Sequence, residues 1–123
     1  LHFRQAQAAP ASLPEFKGNV VAVDTAPFWD DDLDALEQRM ARVNDKLNQD
    51  FKKDPSLTRE AKDEARKKAT AEQFTPEELK RFKAGVSNGG YHYLGAAKIL
   101  APIGKAFAEA AVELGGGQLP EKK

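Results

Sequence analysis

Between Asp30 and Phe51, the apolar residues Leu33, Leu36, Met40, Val43, Leu47 and Phe51 recur at spacings of three and four, with charged residues filling the gaps. That period is the stripe of an amphipathic α-helix, and it cannot lie on one face of a strand, whose side chains alternate with period two. Asp30 or Asp31 can cap its N-terminus. A second helix is predicted from Thr58 to Gln73, where Ala61, Ala65 and Ala69 form a narrow small-residue seam able to accept the leucine stripe, and Asp54-Pro55-Ser56 reads as the turn between the two. A third helix starts at Thr75-Pro76-Glu77-Glu78: threonine can cap, proline suits the first helical position, and Glu78 completes a capping box. The commonest role of such a charged helical excursion is to pack on its own domain with its charges in water; the rarer role is a coiled-coil partner surface.

On either side the composition differs. Leu1 to Ala9 reads as the tail of a helix without an N-cap, as in the interior of a longer chain. Pro10 and Pro14 then mark a break, and Glu15 to Asn19 a turn into Val20-Val21-Ala22-Val23-Asp24. A short β-branched run bounded by Gly18-Asn19 and Pro27 predicts a strand buried on both faces, the kind found in parallel sheets. The expected fold is therefore α/β, mostly helical in this chain, with one buried parallel-type strand whose neighbours lie upstream. Three segments follow: 1–29, a helix tail and the last sheet strand; 30–83, a charged helical insertion; and 84–123, a histidine loop, a C-terminal helix and a polar tail frayed beyond Gln118. In such a layered fold ligands gather at the carboxyl ends of strands, which brings Asp24 and Trp29 into consideration. An aromatic just after a strand is more often a lid on the core.

The last helix is predicted from near Leu94 to the Gly115-Gly116-Gly117 stop, with Ala96, Ile99, Leu100, Ile103, Phe107, Ala110, Ala111 and Leu114 on one broad face and a kink at Pro102. Lys98, Pro102, Lys105 and Glu109 interrupt it, so no membrane span is expected. Lysine plus arginine equal aspartate plus glutamate at 19 each, and no aromatic platform interleaves the basic clusters Lys52-Lys53 and Arg66-Lys67-Lys68, so no nucleic-acid partner is expected. The absence of cysteine excludes disulfides, thiolate nucleophiles and cysteine metal sites. Asp30, Asp32 and Asp34 imitate the start of a calcium loop. The sixth position, which needs glycine, is Ala35, and the closing glutamate is replaced by Ala41, so neither a metal nor a cofactor is expected.

The stretch with the composition of a reactive site is Asn88-Gly89-Gly90-Tyr91-His92-Tyr93-Leu94-Gly95. Two glycines give the backbone freedom just before a histidine, the side chain whose ordinary pKa lies nearest neutrality and so the first candidate for a general base. The plainer alternative is a packed ring whose nitrogens bond to backbone.

Three stretches together, Leu13 to Val20, Val23-Asp24-Thr25-Ala26-Pro27-Phe28-Trp29, and Gly90-Tyr91-His92-Tyr93 leading into Ala106-Phe107-Ala108-Glu109-Ala110, resemble the C-terminal part of bacterial sialate O-acetylesterase-like proteins. These belong to the SGNH/GDSL hydrolase superfamily, with a flavodoxin-like α/β/α fold. The resemblance covers about half of the chain, and the helical region between its two ends would be a variable insertion. It implies a serine esterase that removes acetyl groups from carbohydrate, with His92 as general base, Tyr91, Tyr93 and Trp29 lining the site, and the nucleophile and oxyanion donors in an N-terminal part of the same domain upstream of Leu1. It also implies an exported bacterial protein whose signal peptide would lie upstream. One departure stands out: the family sets an aspartate three residues before the histidine, where this chain has Gly89. Asp24 or a backbone carbonyl would then orient the imidazole, or activity would be weak or lost. The rival function is a non-catalytic helical interaction module that binds another helix through Leu33 to Phe51.

Overall fold

The computed structural model describes residues 2–116; the polar tail expected to fray beyond Gln118 lies outside them. The helices are α1 (His2–Ala8), α2 (Asp31–Lys53), α3 (Arg59–Gln73), α4 (Pro76–Gly85) and α5 (Ala97–Leu114), with 3₁₀ turns at Ala9–Ser12, Pro14–Phe16, Ala26–Phe28 and Gly90–Gly95. The chain divides into two compact units, Asp30–Ala97 and the pair of terminal segments Leu1–Trp29 with Lys98–Lys123.

Residues Asp30–Ala97 form a helical unit whose local signals are all used. Asp30 Oδ1 accepts a hydrogen bond from Leu33 N at 3.0 Å, capping α2. Asp31, Asp32 and Asp34 then fill the first turn and Lys52 and Lys53 the last, each complementing the helix dipole. Thr58 Oγ1 caps α3 by accepting from Ala61 N at 3.2 Å. At the start of α4, Thr75 Oγ1 accepts from Glu78 N at 3.2 Å while Glu78 Oε2 accepts from Thr75 N at 2.8 Å, a complete capping box with Pro76 in the first turn.

The stripe of α2 packs against both α3 and α4. Leu33 and Leu36 are buried, and Met40, Val43, Leu47 and Phe51 are half-buried. Each fully buried leucine stabilises the unit by roughly 1.5–3 kcal/mol. The seam expected on α3 is half-buried at Ala65 and Ala69, and the Phe51 ring lies 5.0 Å from the Arg66 guanidinium and 5.9 Å from Lys62 Nζ. α4 approaches α2 closely at Gly85, where a Cβ would come within 2.9 Å of both Leu33 methyls. Arg39 ties the three helices together. Its guanidinium pairs with Glu78, donates to the Gln73 carbonyl at 3.2 Å and lies 4.5 Å over the ring of buried Phe74.

The terminal unit overturns the expected α/β class. Among the described residues 77% are helical, and none lies in a strand or sheet. The run Val20–Asp24, expected as a buried parallel strand, takes no regular structure, with Val20 37% and Val21 44% exposed. The reason is that a strand's backbone donors and acceptors must be met by a neighbouring strand, and no described segment supplies one. β-branched composition alone does not make a sheet. In this unit α5 continues through Pro102 with Ile99 and Ile103 buried, while Leu100, Phe107, Val112 and Leu114 on the same helix are exposed.

Candidate active site

The helix expected to begin near Leu94 begins at Ala97; the residues before it form a closed turn. α4 ends at Gly85, and Val86 N donates to Phe82 O at 2.8 Å to finish it. The chain then folds back on itself. Ser87 N and Asn88 N both donate to Leu94 O, at 2.8 and 3.0 Å, and His92 N and Leu94 N both donate to Gly89 O, at 3.0 and 3.2 Å. Ser87 Oγ adds a bond to Gly95 O at 3.0 Å. These five bonds close a ring of backbone around Leu94, whose side chain is fully buried.

The backbone of this turn is strained. Tyr93 (φ 53°) and Leu94 (φ 59°) occupy the left-handed region, and Gly95 (φ 60°) follows them. For residues with a Cβ that conformation costs roughly 1–2 kcal/mol each. Complete burial of Leu94 returns about the same amount, 1.5–3 kcal/mol, and the hydrogen bonds fix the geometry. No signal in the sequence announced left-handed Tyr93 and Leu94; the turn that holds them packs against α2, an element remote in sequence.

The strained turn presents three side chains. Tyr91 is 84% exposed, His92 is exposed, and the two rings lie 4.4 Å apart at 54°. Tyr93 is 39% exposed. The alternative of a histidine packed away is thus not what is observed. Two further residues border the turn that the sequence did not assign to this site. Ser87 spends its hydroxyl proton on Gly95 O, so it serves the turn rather than His92. Asp34, on the first turn of α2, sits beside Gly90: a methyl group there would lie 3.8 Å from Asp34 Oδ1, and the other carboxylate oxygen accepts from Gln38 Nε2 at 2.8 Å. No sequence pattern links positions 34 and 90; helix packing brings them together.

The remaining predicted site residues belong to the terminal unit. Asp24 Oδ1 accepts from Ala26 N at 3.0 Å and lies 3.8 Å from Arg4 Nη1, both groups well exposed. Trp29 is half-buried, closing the Ala26–Phe28 turn through its N–H to Ala26 O at 3.1 Å. The structure therefore gathers Tyr91, His92 and Tyr93 on one turn and holds Asp24 and Trp29 in the other unit. Among the described residues no group of three or more histidine, aspartate or glutamate side chains could hold a metal ion, and no helix is long and apolar enough to cross a membrane.

No family model, curated protein or solved structure matches this chain.

Proposed function

We propose that this chain supplies the general-base histidine, His92, of a serine esterase that removes O-acetyl groups from carbohydrate. The observation that carries the proposal is the strained, closed turn that holds His92 out beside two exposed tyrosines. Backbone strain maintained by surrounding structure is concentrated where a side chain must be held in one place for chemistry. In this role His92 takes the proton of a serine hydroxyl as its oxygen attacks the acetyl carbonyl. It then returns that proton to the departing sugar hydroxyl. Tyr91 and Tyr93 offer flat faces for the apolar side of a sugar ring and hydroxyls for its polar edge.

A base of this kind works with an acid that holds its tautomer. Within the unit that carries His92, Asp34 borders the turn and is the candidate for that role. The nucleophile is proposed to come from polypeptide other than residues 1–123, namely the N-terminal part of the same domain; the only serine on the turn, Ser87, is committed to Gly95 O. The alternative function uses the Leu33-to-Phe51 stripe to bind another helix. In this structure the stripe already faces α3 and α4, which favours the histidine turn as the functional element.

The test is hydrolysis of an acetylated sugar by the natural gene product that carries this chain. His92→Ala is expected to lower kcat by roughly 10²–10⁴, the usual contribution of a general base, while leaving helicity unchanged. Residues 1–123 alone are expected to give no turnover. Undiminished hydrolysis in the His92→Ala protein would refute the proposal.

A further inference from the structure

The turn that carries His92 also holds a self-modifying site. We propose that Asn88-Gly89 is a spontaneous deamidation site, at which the folded chain converts the neutral Asn88 amide into a carboxylate.

The chemistry is intramolecular. The backbone nitrogen of Gly89 attacks Cγ of Asn88; a C–N bond forms there, the bond from Cγ to the side-chain nitrogen breaks, and ammonia leaves carrying the proton that Gly89 N gives up. Solvent water then opens either carbonyl of the five-membered imide, giving aspartate or isoaspartate. No oxidant or reductant takes part.

Four observations place this reaction at Asn88. Gly89 N donates to Asn88 Oδ1 at 2.8 Å, so the nucleophile already sits against the carbonyl it must attack, and its N–H is not committed to another residue. Glycine follows, and without a Cβ it opposes neither the approach nor the rotation that ring closure needs. The pair lies outside regular helix, between the end of α4 and the Gly90–Gly95 turn, and Asn88 is exposed to the water that opens the ring. Finally, the other three asparagines lack these features: Asn19 precedes β-branched Val20, and Asn44 and Asn48 lie within α2, where the backbone nitrogen of the next residue is held in the helix.

The consequence falls on the turn itself. Asn88 N donates to Leu94 O and Gly89 O accepts from His92 N and Leu94 N, so position 88 is clamped on both sides. Isoaspartate inserts a methylene into that clamped backbone, and either product adds a negative charge four residues before His92. This inference does not rest on the esterase proposal, because its readout is covalent.

The experiment incubates the purified folded chain at mildly alkaline pH and follows each asparagine by peptide mass spectrometry, with isoaspartate-specific enzymatic methylation as a second readout. Asn88 is expected to convert in the majority of chains, with isoaspartate in excess of aspartate, before Asn19, Asn44 or Asn48 changes. Gly89→Ala is expected to slow conversion several-fold; the added methyl would come within 2.8 Å of the Tyr91 ring, which is exposed and has room to turn aside. Conversion at Asn88 no faster than at Asn19, or an Asn88 that reacts in urea but survives intact in the folded chain, would overturn the proposal.

Discussion

Gly95→Ala tests the turn directly. Gly95 has φ 60°, a conformation that costs a residue with a Cβ about 1–2 kcal/mol. The new methyl would also overlap Ser87 Oγ and come within 3.2 Å of the Asn88 backbone nitrogen. Ser87 must then rotate away, breaking its 3.0 Å bond to Gly95 O, a loss of roughly 0.5–1.5 kcal/mol. Together these predict a destabilisation of about 1.5–3.5 kcal/mol. Ser87→Ala alone should cost only the hydrogen bond. In the double variant the overlap with Oγ is gone and the bond is counted once, so the combined effect should fall short of the sum of the two single changes by about 0.5–1.5 kcal/mol. Urea unfolding followed by far-UV circular dichroism gives the free energies. Amide exchange at Leu94, which donates to Gly89 O, and Ala96, which donates to Tyr93 O, reports on the turn itself. A Gly95→Ala protein within about 0.5 kcal/mol of the parent, or strictly additive changes, would show that the turn is not held as described.

Arg39→Ala should loosen the packing of α2 against α3 and α4, and Arg39→Lys should not restore it, because a point charge can neither lie flat on Phe74 at 4.5 Å nor serve Glu78 and the Gln73 carbonyl together; thermal unfolding of both variants checks this. Glu78 is held below its ordinary pKa first by the backbone N–H of Thr75 and then by Arg39. A lowered folded-state pKa adds stability above the unfolded value, near pH 4, that is lost as pH falls through the folded value, so acid should weaken the parent in that range and Glu78→Gln should flatten the dependence. Leu36→Asp, at a position 4% exposed, should unfold the Asp30–Ala97 unit, whereas Leu47→Asp, at a half-buried site, should leave helicity largely intact; circular dichroism separates the two.

The sequence by itself determined the elements whose causes lie within a few residues. The α2 stripe, its cap at Asp30 or Asp31, the Thr75 cap with the Glu78 capping box and the Asp54–Ser56 turn were legible because a helix satisfies its backbone from residue i to i+4 and a cap from i to i+3; the structure chose Asp30 and added the Thr58 cap. Position 92 was legible as a loop histidine because glycines precede it, although its exposure was left open and the helix after it starts at Ala97 rather than near Leu94. Tertiary structure decided the rest. Val20–Asp24 has the composition of a strand, but a strand is made by its neighbours, and the described chain offers none. The left-handed Tyr93 and Leu94, and the approach of Asp34 to Gly90, depend on burying Leu94 and on packing α2 near the turn. Those contacts join residues more than fifty positions apart, and no local pattern encodes an interaction whose partner is chosen only when the helices pack.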